Sequence, residues 1–101
     1  MKPVPQFVVF HAPGTRWQRG VVAFEQEGLQ AHVDHYRAWL RSGKLMLGGP
    51  FLDDAGGGMM IAAPGVSGDE LAAFAAGDPA IASGLLSFEV RPWLIGMQAP
   101  D

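Results

Sequence analysis

The sequence predicts one α+β domain with the element order βαββαβ, and three observations lead to this prediction. Segments typical of strands alternate with segments typical of helices. Glycine and proline, present 14 and 8 times, separate these segments. The length of 101 residues suits a single hydrophobic core, because chains divide into domains only when they are much longer. We therefore expect residues 1–101 to fold as one α+β domain.

The first strand and the first helix are expected within residues 7–42. Residues 7–11 are aromatic and β-branched without polar alternation, which favours a central strand that is buried on both faces. After a loop over residues 12–20, a helix is predicted to start between Val22 and Gln26 and to end near Ser42. Its expected buried stripe consists of Leu29, Val33, Tyr36 and Leu40. Gly43 is placed to stop it.

A β-hairpin is predicted next. Residues 44–47 form its first strand, which Gly48-Gly49-Pro50 is expected to close. The acidic and glycine-rich residues 53–58 form the turn, and residues 59–63 form the returning strand. Met46, Met59 and Met60 are expected in the core of these strands.

The last third of the chain predicts a helix and a strand. Ser67 and Glu70 form a capping-box pattern, which places a helix over residues 68–76. Asp78-Pro79 is predicted to be a turn. Residues 85–91 alternate between apolar and polar, as in a half-buried strand, and Pro92-Trp93 is expected to end it.

This order of elements predicts a ferredoxin-like subunit, in which an antiparallel four-stranded sheet carries both helices on one face. The other face then needs a cover that a chain of 101 residues does not supply. Only 17% of the residues are charged, compared with about 25% in an average domain. We therefore expect a homodimer that packs sheet against sheet.

Composition excludes several classes of protein. The chain has no cysteine, which excludes disulfide scaffolds and thiol chemistry. A net charge of −3 argues against nucleic-acid binding. No apolar run approaches the roughly 20 residues of a membrane span, and the N-terminal residues lack the apolar core of a signal peptide. We expect a cytoplasmic protein without nucleic-acid or membrane partners. Three histidines alone make a poor metal cage, so neither a metal nor a cofactor is expected.

An ordered set of residues extends from the first helix to the last strand. The set comprises His32, Tyr36, Leu40, Gly43, Leu45, Gly49-Pro50, Gly57-Gly58, Met59, Met60, Ile61, Glu70, Asp78-Pro79, Gly84 and Val90-Arg91-Pro92-Trp93. In this set the chain resembles the YCII-related family of the dimeric α+β barrel superfamily. The resemblance implies a homodimer, a pocket between sheet and helices, and an active site that uses His32 and Asp78. Ala80 departs from the family, which often has an aromatic residue after the Asp-Pro.

His32 and Asp78 are the candidate catalytic residues. On a regular helix, His32 lies about 70° from the centre of the expected apolar stripe, at the margin of the buried face. An imidazole with a pKa near 6.5 can accept and return a proton at neutral pH. Asp78 would orient this imidazole and stabilise its charged form. The alternatives are a histidine that only packs in the core and an aspartate that only caps a turn.

The candidate substrate-binding residues are Trp17, Tyr36, Trp39, Gly49 and Pro50. Trp17 lies with Arg16 and Arg19 in the loop after the first strand, which could form a flexible lid or an ordinary surface loop. Trp39 follows His32 by two helical turns and could wall the same pocket. His35 is expected near solvent. His11 lies on the strand face of Phe7 and Val9, where it could line a pocket mouth, and a structural role is expected for it.

Two functions remain open from the sequence. The first is a small cofactor-independent enzyme in which His32 is the general acid/base for an elimination or isomerisation. Its substrate would be a small molecule, for example an aromatic or cyclic one. The alternative is a non-catalytic dimer that binds a small ligand or serves as an accessory or structural partner. His32 bonded to Asp78 beside an open cavity would favour the enzyme.

Overall fold

The computed structural model describes residues 4–100 and contains one antiparallel sheet with helices packed on one face. The strands are β1 (Gln6–Pro13), β2 (Leu45–Pro50), β3 (Gly58–Ala62) and β4 (Leu86–Trp93), in the spatial order β2-β3-β1-β4. The helices are α1 (Leu29–Arg41), α2 (Gly68–Ala76) and the short α3 (Pro79–Ser83). The predicted α+β fold, the β2–β3 hairpin and the central position of β1 are confirmed.

The main core lies between the sheet and helices α1 and α2. Its fully buried members are Val9 from β1, Ala62 from β3, and Leu71 and Ala75 from α2. Strand residues that alternate along the chain point to the same face, so each strand contributes every second side chain to this core. A smaller cluster of Ala80, Leu85 and Leu86 sits beneath α3.

Helix α1 begins later than the sequence predicted. Residues Ala23–Glu25 form only a short 3-10 turn, and α1 starts at Leu29. Gly28 has φ +94°, a left-handed conformation that interrupts a right-handed helix and that glycine adopts without steric cost. The predicted start between Val22 and Gln26 is therefore wrong.

The buried face of α1 is also rotated from the expected stripe. His32, Tyr36 and Trp39 are its buried residues, whereas Leu40 is 52% exposed. Leu29, Val33 and Leu40 border a cavity instead of a packed neighbour. The predicted apolar stripe therefore faces the inside of the subunit at Tyr36, while its other three residues face the cavity.

His35, expected near solvent, is half-buried against α2. Its ring stacks on Phe74 at 3.9 Å between centroids, and its Nε2 donates to the carbonyl oxygen of Phe74 at 2.7 Å. The arithmetic of one helix missed this position because α2 covers a side of α1 that has no apolar stripe. The expectation of a surface position is wrong.

Strand β2 continues through the residues that were predicted to end it. Gly48, Gly49 and Pro50 pair with β3, because neither glycine nor a terminal proline breaks the ladder of an edge strand. The register shifts between Leu45 and Leu47, which leaves Met46 at a bulge. Met46 is 39% exposed, so its predicted core position is wrong.

Helix α2 has the predicted boundaries, and its cap is present. The hydroxyl of Ser67 accepts from the backbone N–H of Glu70 at 3.0 Å. The carboxylate of Glu70 does not return to the cap, since it pairs with Lys44 at 2.5 Å. Half of the predicted capping box is therefore formed.

Asp78-Pro79 begins a helix where the sequence predicted a turn. Asp78 is the N-cap of α3, and Pro79 occupies its first turn, where a missing N–H costs no hydrogen bond. Strand β4 also runs past Pro92 to Trp93, which the free edge of an outer strand permits.

The helix-free face of the sheet is apolar over β1, β2 and β3 and polar over most of β4, where Arg91 and Glu89 lie opposite Val8 and Phe10. The cross-strand register places Val8 opposite Ile61, and Ile61 opposite Leu47. Phe10 and Met59 form the next row of this face, and residues directly opposite each other share a face. Leu47 is 53% exposed and Trp93 is 42% exposed. Within residues 4–100, no helix is long and apolar enough to cross a membrane.

Candidate functional site

A cavity of about 290 Å³ opens between α1 and the sheet. Trp17, Leu29, Val33 and Leu40 are among its apolar walls, and Arg37 lies on its border. His11, His32 and Tyr36 supply polar groups to the same cavity. The space suits a molecule about the size of one substituted ring.

Where the sheet borders the cavity, glycines allow neighbouring backbone segments to approach each other closely. A Cβ on Gly57 would meet the carbonyl oxygen of His11 at 2.1 Å, and a Cβ on Gly58 would meet that of Gly49 at 2.5 Å. These positions therefore require glycine. Gly48, Gly49 and Pro50 also line the cavity, so backbone replaces side chains along this wall.

His32 and Asp78 form a buried pair at the edge of the cavity. Nδ1 of His32 lies 2.5 Å from Oδ2 of Asp78. His32 is 7% exposed and Asp78 is fully buried. Helix α1 supplies the histidine, while the cap of α3 supplies the carboxylate. The cap holds it in place, since Oδ1 of Asp78 accepts from the N–H of Ala80 at 2.9 Å.

The surroundings of Asp78 keep its carboxylate ionised. Burial alone would raise its pKa, but the hydrogen bonds from His32 and from the Ala80 N–H outweigh burial and lower that pKa below its usual value. An ionised carboxylate only accepts hydrogen bonds. Nδ1 of His32 therefore carries the proton of this contact.

A second hydrogen-bonded pair, His11 and Tyr36, lies beside the first. Nε2 of His11 is 2.9 Å from the hydroxyl of Tyr36, and Nδ1 of His11 is 3.1 Å from the carbonyl oxygen of Ser87. The His11 and His32 rings meet edge to face at 4.9 Å between centroids. Strand β1 delivers His11 to the helix-covered face, where α1 presents Tyr36.

Both members of this second pair are neutral at neutral pH. Burial and the nearby His32 lower the pKa of His11 to about 4. Burial and the negative charge of Asp78 raise the pKa of Tyr36 above its ordinary value. Neither His11 nor Tyr36 therefore adds a charge to the ionised carboxylate of Asp78.

His11, His32 and Asp78 also form a group with the donor types of a metal site. One ligand atom from each lies within 4.8 Å of the others. Both nitrogens of His11 and Nδ1 of His32 already take part in hydrogen bonds. A cation at this point would have to displace bonds that the folded chain satisfies internally.

The loop that carries Trp17 is fastened to the rest of the domain. The N–H groups of Gly14 and Arg16 donate to the carbonyl oxygens of Leu85 and Gly84 at 2.8 and 2.9 Å. The side chain of Gln26 makes three hydrogen bonds to the backbone of Gln18 and Val21. These bonds hold the loop closed at its base, unlike a free lid. Arg16 and Arg19 are exposed and lie outside the cavity wall.

Four of the five predicted substrate-binding residues line the cavity, namely Trp17, Tyr36, Gly49 and Pro50. Trp39 does not line it. Its ring stacks on Phe74 at 4.0 Å between centroids, inside the core. The expectation that Trp39 walls the pocket is corrected, because the second turn after His32 points toward α2. Binding by the other four stays a prediction.

Sequence reasoning underrated His11. A structural role was expected for it, with a position at a pocket mouth as the alternative, because it shares a strand face with Val9. In the structure it lines the cavity and bonds to Tyr36. Gln26, which holds the Trp17 loop from outside the cavity lining, gave no signal, because that loop has no regular period.

Comparison with known proteins supplies the family. The family model of the YCII-related domain matches residues 10–94, which extend from β1 to just beyond β4 and include both His32 and Asp78. The comparison with curated proteins found no match. A family match over most of the chain, on the α+β fold described above, leads to one conclusion. The chain belongs to the YCII-related family.

Proposed function

We propose that the protein is a small enzyme in which His32 is the general acid/base for a small-molecule substrate. The observation that carries this proposal is the 2.5 Å contact between Nδ1 of His32 and Oδ2 of Asp78 at the wall of an open cavity. A histidine whose tautomer is held by a buried carboxylate is the arrangement that proton transfer requires.

Nε2 of His32 is the reactive nitrogen in this proposal. Nδ1 donates to Asp78, so Nε2 of the neutral ring carries the lone pair. Within residues 4–100, Nε2 has no hydrogen-bond partner, and no buried side-chain nitrogen or oxygen is left unsatisfied. Nε2 is therefore not sealed in the core, and the cavity is the open space beside it.

The proposed chemistry moves one proton. Nε2 takes a proton from a carbon or hydroxyl of the substrate, and the negative charge of Asp78 stabilises the resulting imidazolium. The same nitrogen returns the proton at another atom, or to a leaving group. Isomerisation and elimination are the reaction classes that such a cycle supports, and the chain itself supplies the group that they need.

The walls indicate the kind of substrate. Trp17, Leu29 and Val33 favour an apolar body of about one ring, and Arg37 on the border favours a negative or strongly polar substituent there. Small aromatic or cyclic acids and phenols combine these features. We take them as the substrate class to test first.

The direct experiment is a thermal-shift screen of small acids and phenols, followed by turnover assays on the compounds that stabilise the protein. A ligand present at 100 times its Kd should add about 2.7 kcal/mol of stability. Turnover of a stabilising compound that is lost when His32 is replaced would support the enzyme. Tight ligands without turnover of any tested compound would instead support the ligand-binding alternative.

We further propose that the protein is a homodimer joined through the helix-free face of its sheet. Support comes from Leu47 and Trp93, two large apolar side chains that are exposed on that face in the isolated subunit. Exposed apolar areas mark interfaces. A second copy would cover these side chains about a twofold axis.

Leu47→Asp is expected to break this dimer. Leu47 is 53% exposed in the isolated subunit, so the substitution leaves the core intact and places a charge in the proposed interface. Sedimentation at micromolar concentration should show a dimer for the wild type and a 10.7 kDa monomer for the variant. Leu52→Asp, at a residue that is 92% exposed in the loop after β2, is the matched control and should stay dimeric. A monomeric wild type would contradict the proposal.

A further inference from the structure

His11 has a hydrogen-bonding arrangement that leaves one choice of tautomer. A backbone carbonyl oxygen can only accept, so the contact of His11 Nδ1 with Ser87 O at 3.1 Å requires a proton on Nδ1. A neutral imidazole has one N–H, so Nε2 then carries the lone pair. The burial that lowers the pKa of His11 to about 4 keeps the ring neutral at neutral pH.

The tautomer of His11 sets the direction of the Tyr36 hydroxyl. Nε2 of His11 can only accept, so the hydroxyl of Tyr36 donates its single proton across the 2.9 Å contact. The phenolic oxygen keeps its lone pairs for other partners. Tyr36 borders the cavity while only 2% exposed. Toward a ligand that reaches this oxygen, it offers an acceptor and no donor.

We propose that His11 is a positioning residue that makes the Tyr36 hydroxyl a fixed hydrogen-bond acceptor, and that this oxygen binds a second donor group of the ligand beside the one that meets His32. This inference rests on the proposed function only in using His32 as the first acceptor. The His32 and Tyr36 rings are 5.3 Å apart between centroids. Neighbouring positions on one small ring can reach both.

The inference narrows the ligand class. The polar end of the cavity presents two acceptors, Nε2 of neutral His32 and the oxygen of Tyr36. The matching ligand carries hydroxyl or amino groups on adjacent atoms of an otherwise apolar ring. A molecule with an ether at the second position would place its ether oxygen against the oxygen of Tyr36. Neither atom would then have a proton to donate to the other.

Two probes test the second donor directly. Catechol has two adjacent hydroxyls, and 2-methoxyphenol replaces one of them by an ether. We expect the wild type to bind catechol about tenfold more tightly, the ratio expected for one hydrogen bond made or left unmade. Tyr36→Phe should bring the two affinities to within about twofold of each other. Isothermal calorimetry under argon measures both, without any turnover.

A matched pair of His11 variants separates positioning from simple packing. His11→Gln keeps an acceptor near the place of Nε2 and should preserve most of the catechol preference. His11→Phe keeps bulk without an acceptor and should lose the preference as Tyr36→Phe does. Nitrogen-15 NMR of the free protein should show His11 protonated at Nδ1 only.

Three results would overturn the inference. They are a proton on Nε2 of His11, a catechol preference that survives in Tyr36→Phe, and failure of the wild type to bind catechol at millimolar concentration. Loss of the proposed catalysis leaves a different signature. In that case the catechol preference and its dependence on Tyr36 persist while no compound is turned over.

Discussion

His32→Asn is expected to lower turnover by about 10²- to 10⁴-fold, the usual contribution of a general acid/base. The amide nitrogen of asparagine can occupy the place of Nδ1 and keep a hydrogen bond to Asp78. The group lost is Nε2, which has no counterpart in asparagine. The fold should therefore survive while proton transfer fails, and steady-state kinetics with a compound from the screen would measure the loss.

His32→Ala is a less informative change. It would leave the fully buried carboxylate of Asp78 without the hydrogen bond from His32. Leaving a buried group without such a partner costs about 1–3 kcal/mol, and more when the group is charged, so inactivity could reflect unfolding. Asparagine avoids this ambiguity.

His35→Gln is the matched control on the same helix. Glutamine can donate to the carbonyl oxygen of Phe74 as Nε2 of His35 does, and only the ring stack is lost. Its turnover should stay within about threefold of the wild type, because it touches neither the cavity nor the reacting atoms. Equal losses in both variants, or an active His32→Asn, would show that the proton is transferred elsewhere.

Asp78→Asn adds a test of the tautomer. Its amide oxygen can still cap α3, but its amide nitrogen donates where the carboxylate accepted. His32 would then hold its proton on Nε2, the wrong nitrogen for a base. We expect an activity loss comparable to that of His32→Asn, measured with the same compound under the same conditions.

Acid is expected to destabilise the protein through His11, which takes up a proton more readily in the unfolded chain than in the folded one. The pKa of this histidine is 6.5 when exposed and about 4 in the folded protein. Between these values the unfolded chain binds more protons than the folded chain, so the free energy of unfolding falls as the pH falls. The full difference corresponds to about 3 kcal/mol.

The pH range in which His11 destabilises the fold lies above the range in which Asp78 does so. His32 opposes the protonation of His11, and so does His35 more weakly, while Asp78 and the Ser87 carbonyl favour it. The lowered pKa of Asp78 stabilises the fold above the unfolded value of 3.8 and is lost only as the pH falls below it. Between pH 6.5 and 4, His11 is thus the buried group of this cluster whose lowered pKa makes stability depend on pH.

Urea unfolding between pH 7 and pH 4 measures this dependence. His11→Gln has no titrating group at this position and should show a shallower fall, by about 3 kcal/mol over the range. The free energy of unfolding of each protein is compared with its own value at pH 7. A loss of stability that is the same at every pH therefore does not affect the comparison. Parallel curves for the wild type and the variant would contradict the low pKa of His11.

Local patterns in the sequence were enough to predict most of the fold. The Ser67 cap and the period of Leu86, Phe88 and Val90 act within a few residues, so α2 and the face of β4 that packs on the core could be placed without the rest of the chain. The boundaries that failed depend on distant contacts. Strand β2 extends because β3 pairs with Gly49 and Pro50, and β4 extends because β1 pairs with Pro92.

The sequence alone was enough to predict the fold class and, through the family resemblance, to select His32 and Asp78 as candidate site residues. These two residues are 46 positions apart, so no local pattern predicts their contact. The contact forms because the start of α3 packs against α1. Only the tertiary structure brought His11 to Tyr36 and turned part of the α1 stripe toward a cavity. Hydrogen-bond direction and cavity shape arise between elements, so no period along one element could determine them.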